Sequence, residues 1–82
     1  MQLSIRLFAN LAEMLGTSSL TYHVENKSLT TGKLKELLSA SYPDAASQIA
    51  VSMVAVDQEY ADDDTIINES AEVAIIPPVS GG

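Results

Sequence analysis

Gln2-Leu3-Ser4-Ile5-Arg6-Leu7-Phe8 alternates without a break, with Leu3, Ile5 and Leu7 on one face and Gln2, Ser4, Arg6 and Phe8 on the other. A period of two is that of a strand with one buried side. A second alternation closes the domain, where Val73 and Ile75 face one way and Ala74 and Ile76 the other. With these two strands side by side and parallel, Leu3, Ile5, Leu7, Val73 and Ile75 share the core face. Phe8 and Ile76 then emerge together on the open face, at the ends where the chain leaves the sheet. Bare apolar side chains in that position predict a docking patch.

Between these strands the pattern alternates between helix and strand. Asn10-Leu11-Ala12-Glu13-Met14-Leu15-Gly16 reads as a short helix with Asn10 as N-cap, Glu13 as the capping-box partner and Gly16 as the C-terminal cap. Leu20 to Glu25 reads as a strand with Leu20, Tyr22 and Val24 inward. A helix is expected from Thr30, its cap, to Ser41. Leu34, Leu37, Leu38 and Tyr42 form its buried stripe, and Pro43 closes it. Asp44 to Gln48 is expected to add one further turn. Val51 to Val56 reads as a mostly apolar strand, Asp57-Gln58 as a tight turn, Glu59-Tyr60-Ala61 as a short return strand, and Asp62-Asp63-Asp64 as loop. The order predicts an α+β fold, with one main helix on one face of a mixed four- to five-stranded sheet. The domain is expected to span residues 1–76, with 77–82 as an extended tail.

The chain has 82 residues, one domain near the lower limit for a self-sufficient core. It has no cysteine, which excludes disulfides, thiolate metal sites and a cysteine nucleophile. Residues 1–42 carry four bases (Arg6, Lys27, Lys33, Lys35) and three acids, and residues 43–82 carry eight acids and no base. The resulting +1 and −8 make up the net charge of −7. That surface repels phosphate backbones and anionic lipids, so neither nucleic acid nor a membrane is expected as a partner. A basic protein surface is the expected partner of the second half. The longest apolar run, Ile49 to Val56, is too short to span a bilayer, and the N-terminus carries no leader pattern, so a cytoplasmic location is expected.

No catalytic constellation emerges. His23 is the only histidine, has no partner for a triad or a metal shell, and points away from the apolar face by strand parity. The Asp62-Asp63-Asp64 run lacks the spacing and glycine of a calcium loop. Gly32 stands alone, so no phosphate cradle forms, and no bound cofactor or metal is expected. The ending Pro77-Pro78-Val79-Ser80-Gly81-Gly82 is the distinctive element. Two prolines stiffen the exit, and two glycines make a thread slim enough for a foreign active site. Any chemistry is therefore expected to fall on the Gly82 carboxylate, with the molecule as carrier or substrate. An ATP-using partner would convert that carboxylate to an acyl-adenylate. A sulfur nucleophile would then give a thiocarboxylate, and an amine would give an isopeptide bond.

Leu7-Phe8-Ala9 with Leu11-Ala12-Glu13 and Gly16, Val54-Ala55-Val56 before a turn, and Glu72-Val73-Ala74-Ile75-Ile76 running into Pro77-Pro78-Val79-Ser80-Gly81-Gly82 resemble the family of small, sulfur-carrier subunits of molybdopterin synthase. The resemblance covers essentially the whole chain and implies a ubiquitin-like β-grasp fold. It implies that Gly82 is adenylated by a dedicated ATP-dependent activating enzyme and sulfurated to a thiocarboxylate. The tail, Pro77 to Gly81, would enter the large catalytic subunit, in a heterotetramer of two small and two large subunits. There, sulfur would pass to cyclic pyranopterin monophosphate, and two transfers would make the dithiolene of molybdopterin. On this resemblance the chain is no enzyme by itself, and Phe8, Tyr60 and Ile76 are its docking positions.

Two turns depart from the family pattern. Asp57-Gln58 stands where Asn-Gly is common, and Ser70-Ala71 where Gly-Asp is usual. Gln58 lacks glycine's ease at positive φ, which predicts another hairpin turn type and a local cost of about 1 kcal/mol at each departure. Three other readings share the same ending: a sulfur carrier of another pathway such as thiamine biosynthesis, a ubiquitin-like modifier joined through Gly82 to lysines, and a plain interaction module.

Overall fold

The computed structural model describes residues 1–78, so the tail positions Val79, Ser80, Gly81 and Gly82 lie outside the described residues. Strand β1 (Gln2–Leu7) pairs antiparallel with β2 (Ser19–His23) and parallel with β7 (Glu72–Ile76). On its other side β7 pairs antiparallel with β4 (Met53–Val56), and β4 with β5 (Glu59–Ala61). The sheet therefore runs β2-β1-β7-β4-β5, mixed and five-stranded. The parallel β1/β7 pair, the condition on which the parity reading stood, is present, with Ile5 opposite Val73 and Leu7 opposite Ile75. All four are buried, as is Leu3. Full burial of a side chain of this size stabilises by about 1.5–3 kcal/mol, so this double row anchors the two strands to each other.

Helix α2 (Thr31–Ser41) covers that face, and Leu34 and Leu38 are buried in it while Leu37 and Tyr42 pack at its margin. Thr30 caps the helix as expected, accepting from the Lys33 amide at 3.2 Å. Beyond it, a 3₁₀ turn (Pro43–Ala45) leads into helix α3 (Ala46–Val51). This replaces the single extra turn expected. It also shortens the next strand, because Val51 ends the helix and β4 begins at Met53. An apolar run as short as Ile49 to Val51 fits helix and strand equally well by periodicity. Lys35 braces the junction, donating to the carbonyls of Ala50 (3.1 Å) and Ser52 (2.9 Å).

Two further corrections concern the start of the chain and a second sheet. The first helix, α1 (Ala9–Leu15), begins one residue before the expected cap. Phe8 occupies the N-cap position and no side chain caps it, so Asn10 is an ordinary exposed residue of the first turn. Strand β1 accordingly ends at Leu7, and β2 ends at His23 rather than Glu25. The C-terminal cap is as expected: Gly16 has φ 75°, and the Gly16 and Thr17 amides donate to the carbonyls of Glu13 and Ala12. The second sheet was not expected: β3 (Ser28–Thr30) and β6 (Ile66–Asn68) pair antiparallel and bury Leu29 and Ile67.

Candidate functional site

Cross-strand register defines what the open face of the sheet carries. Side chains opposite one another share a face, so Ala74 and Ile76 of β7, Ala55 and Met53 of β4, and Tyr60 of β5 lie on it together. Arg6, the register partner of Ala74, joins them from β1. The β1/β2 half of this face is polar, with Ser4, Thr21 and His23 exposed, while the β7/β4/β5 half is apolar. His23 lies 3.7 Å from Glu25, and both side chains are well exposed, the surface position expected for it.

Phe8 reaches the apolar half from just beyond the end of β1. The residue is 42% exposed, with the Arg6 guanidinium 5.9 Å from its ring centroid. A turn to positive φ at Ala9 (53°) carries the chain from strand into α1 directly after Phe8. Left-handed backbone is unfavourable for a residue with a Cβ, so this conformation is imposed by the short strand-to-helix connection. Tyr60 is 69% exposed and contributes nothing to the core, whereas Ile76 is half-buried rather than bare. Met53, opposite Ile76 and 53% exposed, belongs to the same patch. It escaped the reading of the sequence, although its alternation with the core-facing Val54 placed it on the open side.

The base of the tail is firmly held. Strand β7 lies at the centre of the sheet, hydrogen-bonded on both edges, and Pro77 directly after it is buried while Pro78 is exposed. The acidic loop is closed locally: the Asp62 carboxylate accepts from the Asp64 amide and the Thr65 hydroxyl, each at 3.1 Å. Among the described residues no group of acidic or histidine side chains could hold a metal ion, and no helix is long and apolar enough to cross a membrane.

Both departing turns are explained by backbone angles. Asp57 and Gln58 take φ of 51° and 71°, so the hairpin uses the doubly positive-φ turn despite lacking glycine, contrary to expectation. The register Val56 opposite Glu59 leaves two residues for the connection, and such loops favour this turn. Neither Ser70 nor Ala71 has positive φ, so glycine is not required at that bend.

A mixed sheet with this strand order, one main helix across one face and a bare opposite face define a ubiquitin-like β-grasp protein. The model of the ThiS family matches residues 5–82, and the chain belongs to that family. It is 42% identical over 83 residues to the molybdopterin synthase sulfur carrier subunit of Dictyostelium discoideum, covering 99% of this chain and 96% of that protein. The protein of the same name in Arabidopsis thaliana is 33% identical over 81 residues, covering 99% and 83%. Among solved structures, SAMP1 from Haloferax volcanii superposes with a TM-score of 0.79 at 27% identity, covering 100% of both chains.

Proposed function

We propose that this protein is the sulfur-carrier subunit of a molybdopterin synthase and that Gly82 is the residue that carries the sulfur. The observation that carries this reading is the 42% identity, across nearly the full length of both chains, to a protein of that name. The fixed base of the tail supports it, because a strand held on both edges can aim the residues beyond Ile76 into a partner.

The carrier step follows from the chemistry of a carboxylate. One oxygen of the Gly82 carboxylate attacks the α-phosphate of ATP in the activating enzyme, and pyrophosphate leaves. A hydrosulfide-level donor then attacks the acyl carbon, AMP leaves, and a thiocarboxylate remains. In the large subunit the sulfur passes to cyclic pyranopterin monophosphate, and water restores the carboxylate. Two rounds supply the dithiolene of molybdopterin. The residues that catalyse these steps belong to the partners, and the chain itself binds no cofactor. Phe8, Tyr60, Ile76 and Met53 dock the domain, Pro77 to Gly81 thread the large subunit's channel, and the work is cytoplasmic, in a heterotetramer.

Reconstitution with the activating enzyme, ATP, a sulfur source, the large subunit and cyclic pyranopterin monophosphate tests this. Molybdopterin should form with the full chain and not with a chain lacking Gly81 and Gly82, although the truncated chain should still bind the large subunit. Product formation by the truncated chain would refute the reading. A second reading, a ubiquitin-like modifier, is favoured by the likeness to SAMP1, the small archaeal modifier protein 1 of H. volcanii. It predicts conjugates between Gly82 and lysines of other proteins when activating enzyme and ATP are added to extract.

A further inference from the structure

On the open face a cleft of about 150 Å³ lies between Phe8 and Gln58, with Ala55 and Ala74 lining it and Arg6 and Glu72 at its rim. Its size and lining suit one inserted side chain. The two alanines and the aromatic ring offer apolar surface for a stem, and the rim offers charge for a tip.

The charges decide what kind of tip. Glu72 keeps its side-chain carboxylate free, since among the described residues the only ion pairs are His23–Glu25 and Lys33–Glu36. Its backbone, not its side chain, is bonded to Asp57. Arg6 opposes a cation, but its guanidinium is already placed over the Phe8 ring. The surrounding half of the chain has eight acids and no base. An aliphatic stem ending in a positive charge satisfies both the apolar lining and the rim.

We propose that this cleft receives one lysine or arginine side chain of the large subunit, with its stem against Ala55, Ala74 and Phe8 and its cation at Glu72. The inference rests on the sulfur-carrier reading and specifies how that docking is made selective for a basic partner.

Titration of the full chain against the large subunit, at low and at high salt, tests it. Glu72→Gln keeps the backbone bonds to Asp57 and should raise the dissociation constant by roughly fivefold at low salt, with a smaller difference at high salt. Ala74→Val fills the cleft with a residue suited to strands. It should weaken binding while leaving the melting temperature unchanged or raised. Arg6→Gln should leave affinity unchanged or tighten it. Wild-type affinity in Glu72→Gln, or weakening by Arg6→Gln with tightening by Glu72→Gln, would overturn the proposal while leaving the carrier reading intact. Failure of the wild-type chain to bind the large subunit at all would overturn both.

Discussion

Asp57 and Glu72 clamp the β4–β5 hairpin to the start of β7: the Asp57 amide donates to the Glu72 carbonyl at 2.8 Å, and the Glu72 amide donates to the Asp57 Oδ1 at 2.9 Å. One residue thus serves the turn and the central strand at once, 15 positions apart in sequence. Asp57→Ala deletes the acceptor and should cost about 1 kcal/mol. Asp57→Asn should be close to neutral, because its amide oxygen accepts equally and asparagine tolerates positive φ. Urea denaturation of the three proteins measures both, and equal losses in the two variants would contradict the clamp.

Gln58 and Gly16 form a reciprocal pair of tests. Gln58 holds φ 71° with a side chain, while Gly16 holds φ 75° without one, and a Cβ at Gly16 would touch nothing within 4 Å. Only backbone strain therefore separates glycine from alanine at position 16. Gln58→Gly should stabilise by about 0.5–1 kcal/mol and raise the melting temperature by roughly 2–6 °C, and Gly16→Ala should lower both by a similar amount. Shifts of the same sign would show that the backbone angles do not govern these turns.

Gly32 is constrained by contact rather than by conformation. A Cβ there would stand 3.1 Å from the Asp63 Cβ and 3.3 Å from its carbonyl oxygen, to which the Gly32 amide donates at 3.0 Å. Alanine is the better helix former, yet Gly32→Ala should destabilise by about 1 kcal/mol, because the 62–65 loop must move off the start of α2. A gain in thermal stability would show that the loop yields freely.

The extent to which the sequence announced this structure follows from the length of its patterns. Seven alternating residues from Gln2 to Phe8 and the 3.6-residue stripe of Leu34 and Leu38 were long enough to establish strand, helix and burial side. Strands β3 and β6 have three residues each and pair across 38 positions at their centre, where Leu29 lies opposite Ile67. No periodicity is visible in so short a run, and only the burial of Leu29 and Ile67 betrays them. The entry into α1 was missed for a different reason, since Asn10 has the chemistry of a cap but the strain at Ala9 starts the helix before it. At the site, strand parity placed Phe8 and Ile76 on the open face, though Ile76 is half-buried, whereas Tyr60 was reached only through the family resemblance. The cleft beside Phe8 was not readable, because it arises where three strands meet.

The proposed docking role of Phe8 is separable from the fold. Phe8 packs outside the core cluster, so Phe8→Asp should raise the dissociation constant for the large subunit by about tenfold or more with little change in melting temperature. Tyr60→Ala should act in the same direction. Unaltered affinity in both variants would remove the open face from the interface.

Intact-mass analysis of the full chain, after incubation with the activating enzyme, ATP and a sulfur source, tests the carrier role of Gly82 most directly. The account predicts a species in which one C-terminal oxygen is replaced by sulfur, absent when ATP is omitted and absent from a chain lacking Gly81 and Gly82. An unchanged mass with an activating enzyme that sulfurates its own known carrier, or a mass gain that persists without Gly82, would contradict it.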